Sequence, residues 1–210
     1  MGLVRVIDPA AEPITRAEAK SHLRVEHTND DDLIDVLISA ATGYVEEFTG
    51  RQLVEATWKL TLDEFSETIR LPRPPLISVD SIEYVDVDGA TQTLTVMTDY
   101  YVDDRSFLAR IKPAYGESWP STREVMEAVI ITYTCGYARL EGVGSGSGSG
   151  SGDGSESADY VPDAIKAAIK LLVADMYEHR EARLETRIED NPTVLRLLWP
   201  YRVISFDQQG

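Results

Sequence analysis

Apolar residues recur at helical spacing in two distant parts of the chain. Residues three and four apart share one face of an α-helix, so each stripe predicts an amphipathic helix. The first stripe consists of Leu33, Leu37, Ala40, Ala41, Tyr44, Val45 and Phe48. The second consists of Ile165, Ile169, Leu172, Val173 and Met176. Neither stripe has an apolar partner nearby in sequence, which favours a small bundle of N- and C-terminal helices.

Helix start and stop signals flank the first stripe. Thr15 and Glu18 have the spacing of a capping box, which predicts a short helix to about Val25. Asn29 is the predicted N-cap of the next helix and Gly50 its stop. The three aspartates after Asn29 suit the positive end of the helix dipole, which favours a capping role over a metal site.

The C-terminal part carries similar signals. Pro162 suits the first position of the helix that bears the second stripe. Asn191-Pro192 predicts the start of a short helix that ends at Trp199, with Pro200 as its stop. The low-complexity run before these helices predicts a flexible loop over residues 143–158.

Between residues 51 and 142 the apolar pattern changes to period two, which is typical of strands. Trp58, Leu60 and Leu62 alternate with polar residues, and Asp88-Gly89 is a hairpin turn signal. YYVDD, FLARIKP and AVIITYTCGY are further strand candidates. The sequence therefore predicts an α+β fold: helices in residues 1–50 and 159–199, an inserted β-rich module in residues 51–142, and a tail in residues 200–210.

The stretch RLPRPPLISVDSIE interrupts the strand pattern with three prolines. Its Pro72-x-x-Pro75 spacing allows two interpretations, a docking motif for a partner or a fixed corner between strands. The flanks are apolar and strand-like, whereas a polyproline ligand is normally a solvated segment. The pattern favours the corner.

Composition and charge narrow the function classes. With 43% hydrophobic and 27% charged residues the chain is globular, and its single cysteine, Cys135, excludes an internal disulfide framework. No apolar run approaches ~20 residues, and the first residues lack a signal-peptide core, so we expect a soluble cytoplasmic protein without membrane contact. A net charge of -16 argues against a reader of DNA sequence, which needs a basic face.

No group of residues predicts catalysis, a metal or a cofactor. His22, His27 and His179 are scattered without metal-ligand spacing. The Gly/Ser run lacks the Lys-Ser/Thr that completes a phosphate loop. We therefore expect a protein that is not an enzyme.

The order of the segments carries a family resemblance. The chain reads EPITRAEAKSHLRVEHTNDDDLIDVLISAATGYVEEFTGRQL, then TWKLTLDEF, IRLPRPPLISVDSIEYVD, IKPAYGESWPSTR, VIITYTCGY and VPDAIKAAIKLLVADMYEHREA. In this order it resembles the head–tail connector (adaptor) proteins of long-tailed double-stranded DNA bacteriophages, prophages and gene transfer agents. It departs from them in the length of its Gly/Ser run.

The resemblance implies a virion structural protein at the head–tail interface, present in the host cytoplasm during assembly. Such proteins form a homo-oligomeric ring, commonly twelve-fold, that docks on the portal protein and offers a platform to a tail-side connector or tail terminator protein. DNA passes through the channel without being read. The alternatives are a generic interaction module that uses the Pro-rich segment and, less favoured, an enzyme with its site in the β module.

Two sets of residues are candidates for this role. An acidic channel lining would repel phosphates and keep the duplex mobile; its candidates are Asp30, Asp31, Asp32, Glu46 and Glu47. The tail has an extended apolar pattern that suits strand addition to a partner; its candidate portal-binding residues are Tyr201, Arg202, Val203, Ile204 and Phe206. For the lining, the alternative is that the acidic surface only aids solubility. For the tail, folding back onto its own subunit is the alternative.

Overall fold

The computed structural model describes residues 1–137, 160–179 and 192–203. The predicted Gly/Ser loop, Asn191 and the tail residues Ile204 and Phe206 lie outside this part of the chain. The helices are α1 (Arg16–Leu23), α2 (Asp31–Thr49), α3 (Asp163–Glu178) and α4 (Pro192–Leu198), followed by a 3-10 turn (Trp199–Tyr201). The strands are β1 (Gly2–Ile7), β2 (Ala56–Leu62), β3 (Ile69–Arg70), β4 (Leu76–Val85), β5 (Thr91–Leu94), β6 (Tyr100–Asp103), β7 (Arg110–Pro113) and β8 (Val129–Cys135).

The chain folds as two compact units, one built of antiparallel strands and the other of helices. The predicted α+β class is therefore confirmed. The β unit contains residues 1–10 and 55–137, and the helical unit contains residues 11–54, 160–179 and 192–203. The first strand was not predicted: residues 1–50 were assigned to the helices, yet β1 pairs antiparallel with β2. Its side chains from Val4 to Ile7 are exposed, so the two-residue period that marks a half-buried strand is absent.

The β unit has its core between two antiparallel sheets. One has the strand order β1-β2-β8-β4-β5 and the other β3-β7-β6. Leu60, Ile82 and Ile131 of the larger sheet are fully buried in one apolar cluster with Ile69 and Ile111 of the smaller. Alternation in β8 follows from this arrangement, because every second side chain faces the core.

The Pro-rich segment is a corner between β3 and β4, as predicted. Pro74 is buried. The carbonyl of Pro72 accepts the Tyr133 hydroxyl at 3.1 Å, and the carbonyl of Pro75 accepts the Gly136 amide at 2.8 Å. These contacts hold the segment against the sheet, so it does not present a solvated polyproline ligand.

In the helical unit, α2 packs against α1, α3 and α4. Its fully buried side chains include Ile34, Ile38 and Val45. The predicted stripe was therefore displaced by one position at its start, since Leu33 and Leu37 are only half-buried, and its assignment of Ala40 was wrong, because Ala40 is exposed. Both pairs are apolar and adjacent on the helix, and the sequence pattern alone favours neither.

The helix ends follow the predicted chemistry with small shifts. The Thr15–Glu18 capping box is present, and Gly50 ends α2 in the left-handed conformation. The N-cap of α2 is Asp30 rather than Asn29. Pro162 is the N-cap of α3 rather than its first residue, and Pro200 lies within the 3-10 turn instead of stopping α4.

Candidate subunit interface

The outward face of α2 has no charged side chain between Val36 and Gly43. Val36 is 65% exposed, and Ser39, Ala40 and Gly43 are exposed beside it. A β-carbon built on Gly43 would meet no atom within 4 Å. Because the opposite face is held by the core, this surface has a fixed shape and is available to another molecule.

The start of α2 is tied to α1 by a cluster of charges. Arg16 pairs with Asp35 and lies 3.4 Å from the Asp31 carboxylate, while Lys20 contacts Asp31 at 2.6 Å. The hydrogen bond from Lys20, assisted by the charge of Arg16, lowers the pKa of Asp31. The Asp31 charge is thus compensated within the subunit.

Two further polar contacts attach α3 to the N-terminal helices. Lys170 reaches Glu18 at 3.1 Å, and the Tyr177 hydroxyl donates to Asp30 at 2.5 Å. Burial raises the pKa of Glu18, but the Thr15 amide and Lys170 outweigh it and lower the pKa overall. These bonds connect positions about 150 residues apart in sequence and fix the orientation of α3.

The predicted acidic lining is only partly compatible with this geometry. Glu46 is buried, and its carboxylate accepts from the Gln52 amide at 2.7 Å and the Leu53 backbone N–H at 3.0 Å. That prediction was wrong for Glu46, because the carboxylate satisfies donors of the turn that follows α2. Asp30 and Asp31 are half-buried in the contacts above, whereas Asp32 and Glu47 are exposed.

The described part of the tail packs on its own subunit. The Val203 amide donates to the Thr49 carbonyl at 2.7 Å, and Arg51 donates to the Tyr201 carbonyl at 2.6 Å. The Arg202 guanidinium lies 5.5 Å from the ring centroids of both Phe48 and Trp199. For Tyr201, Arg202 and Val203 the fold-back alternative therefore describes the structure.

Val203 also explains the glycine at the end of α2. Gly50 has a φ of 69°, and a β-carbon there would lie 3.2 Å from the Val203 side chain. Glycine is suited to this position because it adopts left-handed φ without steric cost and leaves space for Val203.

Two titratable groups of the β unit, Tyr133 and Asp103, have shifted pKa values that follow from contacts within the unit. Burial raises the pKa of Tyr133, whose hydroxyl is bonded to the proline corner. The pKa of Asp103 is lowered by hydrogen bonds to its carboxylate, chiefly from the Ser106 hydroxyl and secondly from the Arg110 guanidinium. Asp103 and Arg110 lie in the paired strands β6 and β7. Across the described residues no group of three or more His, Cys, Asp or Glu is placed to hold a metal ion. Nor does this part of the chain contain a helix of the length and apolarity that a bilayer crossing requires.

Comparison with protein families gives a match over part of the chain. Residues 14–107 match the model of the phage gp6-like head-tail connector proteins. The predicted resemblance is confirmed. Comparison with curated proteins yields no match.

Solved structures match the fold of this chain along nearly its whole length. The "Neck of empty GTA particle computed with C6 symmetry" superposes with a TM-score of 0.74 at 21% identity, covering 97% of this chain and 96% of that chain. The "Neck of native GTA particle computed with C12 symmetry" gives 0.70 at 20% identity, and the "Virion of native gene transfer agent (GTA) particle" gives 0.73 at 21%, both with the same coverage. The predicted α+β architecture is the fold that these neck and virion structures share with this chain.

Sequence reasoning missed the outward face of α2. Val36 and Gly43 fall outside the apolar stripe, so the helical period assigned them to solvent without a role. The available signal was compositional: between Asp32 and Glu47 this side of the helix carries Val36 and Gly43 in place of the charged residues of an ordinary solvated face, and Ala40 between them was assigned to the buried stripe.

Proposed function

We propose that this chain is a virion structural protein, one subunit of a homo-oligomeric ring at the junction of head and tail in a phage-like particle, without enzymatic activity. The observation that carries the proposal is the agreement of the fold over 97% of the chain with neck structures, together with the family match of residues 14–107. Neck structures computed with C6 and C12 symmetry support a ring, and we propose twelve copies.

The ring contact is assigned to the outward face of α2. A ring needs a heterologous interface, in which one surface of each copy meets a different surface of the next. Val36, Ala40 and Gly43 carry no charge, and the exposed carboxylates Asp32 and Glu47 lie at the two ends of this face. Since the whole chain carries a net charge of -16, uncharged surfaces are where copies repel each other least.

The portal protein and a tail-side connector or tail terminator protein are the proposed neighbours of the ring. Tyr201, Arg202 and Val203 make contacts at the end of α2 within their own subunit. We therefore restrict the portal-binding proposal to Ile204, Phe206 and the residues around them, which carry apolar groups suited to strand addition.

Duplex DNA is proposed to pass through the ring without specific contacts. The candidates that remain are Asp32 and Glu47, whose side chains are exposed, with Asp30 and Asp31 as half-buried contributors. Asp32 and Glu47 lie one helical turn beyond Val36 and Gly43, at the two ends of the face proposed for the ring contact, so we propose that they face the channel from the edges of that contact. Carboxylates repel phosphates, which keeps the duplex mobile.

Ring formation is tested on the purified full chain, alone and mixed with the portal protein, by negative-stain imaging and particle mass. We expect closed rings, stabilised by the portal. A chain that remains monomeric at high concentration and leaves the portal unchanged would contradict the proposal.

The tail is tested with two truncations. A chain ending at Val203 keeps the contacts with Thr49 and Arg51, so we expect unchanged stability and loss of portal docking. A chain ending at Trp199 loses two hydrogen bonds in addition, at about 1 kcal/mol each. Intact docking of the chain ending at Val203 would show that the following residues are not the portal anchor.

A further inference from the structure

A groove of about 760 Å³ lies in the β unit between two walls, residues 63–65 after β2 and residues 119–126 before β8. The rings of Phe65 and Trp119 stack in it with their centroids 4.7 Å apart, and both side chains are only half-buried. Met126, which is 87% exposed, adds apolar surface. A volume of this size suits a small molecule or a short stretch of a partner chain.

Hydrogen bonds hold the two walls of the groove in place. The Glu127 amide donates to the Asp63 carboxylate at 3.0 Å, which joins the end of one wall to the start of the other. The Arg123 amide donates to the Val85 carbonyl at 3.0 Å, and the Val85 amide donates to the Ala128 carbonyl at 2.9 Å. The second wall is thereby attached to the end of β4. The groove is preformed, which limits the entropy lost when it binds another molecule.

The charged lining of the groove is mostly acidic. Asp63, Glu64 and Glu124 line it together with Arg123. A β-carbon built on Gly89 would collide with the Arg123 guanidinium, so this positive charge lies over the turn that precedes β5. The Glu64 and Glu124 side chains are exposed. These carboxylates attract a cationic group and disfavour both a phosphate backbone and another copy of a chain whose net charge is -16.

Arginine covers other aromatic rings of this protein. The guanidinium groups of Arg5 and Arg73 lie 5.8 and 5.5 Å from the centroid of the Trp58 ring, and Arg202 lies over two rings of the helical unit. Among the described residues, no arginine or lysine lies over the stacked rings of the groove. Their aromatic surface, flanked by carboxylates, is therefore complementary to a cation that another molecule supplies.

We propose that the groove binds an extended, arginine-bearing segment of a partner protein, in a contact that is separate from the ring contact. The planar guanidinium stacks on the Phe65–Trp119 rings, and its N–H groups donate to the Glu64 or Glu124 carboxylate. The Trp119 indole N–H is buried without an acceptor in the described residues. Since each residue of a bound segment carries a backbone carbonyl, the segment also supplies acceptors for this donor.

Peptide binding to the purified full chain tests this contact. The probe is a fluorescein-labelled peptide of alternating glycine and arginine, whose fluorescence anisotropy is measured at low salt. We expect saturable binding that the Glu64→Gln/Glu124→Gln variant weakens roughly tenfold, because it removes the charged acceptors. Glu55→Gln/Asp104→Asn is the matched control, since it neutralises two exposed carboxylates of the same unit outside the groove. It should bind the probe as the wild type does, and both variants should keep the wild-type melting temperature.

Two further peptides separate the groove from general attraction to an acidic chain. A peptide with citrulline in place of arginine keeps the shape of the side chain and loses its charge, so we expect no measurable binding. A peptide with lysine keeps the charge and loses the planar guanidinium that stacks on the rings. We expect it to bind roughly threefold more weakly than the arginine peptide.

Three results would overturn the proposal and leave the proposed ring standing. The first is the absence of saturable binding of the arginine peptide to the wild type. The second is equal weakening by the control variant or equal affinity of the lysine peptide, which would show attraction by overall charge alone. The third is loss of assembly in Glu64→Gln/Glu124→Gln with unchanged peptide affinity, which would place another copy in the groove.

Discussion

The two units of the molecule are stabilised in different ways. The β unit encloses an apolar cluster between two sheets, and its polar side chains mostly cap nearby turns, as Asp86 and Asp99 do. The helical unit adds polar bonds between helices far apart in sequence, including Lys170 to Glu18 and Tyr177 to Asp30. Turn caps define local shape, whereas bonds between distant helices fix their relative orientation. The lowered pKa values of Asp86 and Asp103 in the β unit, and of Glu18 and Asp31 in the helical unit, mean that both units lose stability in acid. In the helical unit the loss comes from bonds between helices, and in the β unit from turn caps.

The largest expected effect is truncation of a core side chain in either unit. Ile131→Ala in the β unit and Leu172→Ala in the helical unit each remove buried methyl groups and leave a cavity, which typically costs about 2–5 kcal/mol. Denaturant unfolding, followed by tryptophan fluorescence and far-UV circular dichroism, measures the loss. A cost below about 1 kcal/mol at either site would contradict the described core.

Glu46 provides the next largest effect. Glu46→Ala leaves the Leu53 amide and the Gln52 side chain without this buried acceptor, which should cost about 1–3 kcal/mol. Glu47→Ala, one position along and exposed, should change the free energy of unfolding by no more than about 0.5 kcal/mol. Equal effects of the two substitutions would place Glu46 on the surface, as the sequence first predicted.

The smallest effects belong to the ion pairs, and they depend on pH. The folded pKa values of Glu18 and Asp31 lie below their ordinary values of 4.5 and 3.8. Both groups therefore stabilise the folded state at neutral pH, and this contribution is lost as pH falls through the ordinary values toward the folded ones. Lys170→Met should cost about 0.2–1 kcal/mol at pH 7 and reduce the slope of stability against pH below 5. A slope that Lys170→Met and Asp31→Asn both leave unchanged would show that other groups dominate acid unfolding.

The sequence predicted the features that depend on local chemistry. The Thr15–Glu18 cap, the glycine stop at Gly50, the Asp88-Gly89 hairpin and the proline corner each follow from a few neighbouring residues. The order of segments also led to the family, because six weak patterns in sequence are more specific than any one of them.

What depends on distant contacts could not be predicted. The burial of Glu46 reflects the path of residues 52–53 beneath it, and the anchoring of Val203 requires the end of α2 to lie beside it. Buried and exposed side chains do not alternate along β1, because the side chains of Val4 to Ile7 are exposed on both faces of the strand. The two-residue period that predicts a strand is therefore absent.

Particle mass of the Gly43→Arg variant tests the central claim, ring formation through the outward face of α2. Gly43 faces open space in the subunit, so arginine fits there and should raise helix stability by up to about 1 kcal/mol. We expect Gly43→Arg to be a stable monomer where wild type forms rings, while Gly43→Ala is stabilised and still assembles. Rings of unchanged mass from Gly43→Arg would contradict the assignment of this face.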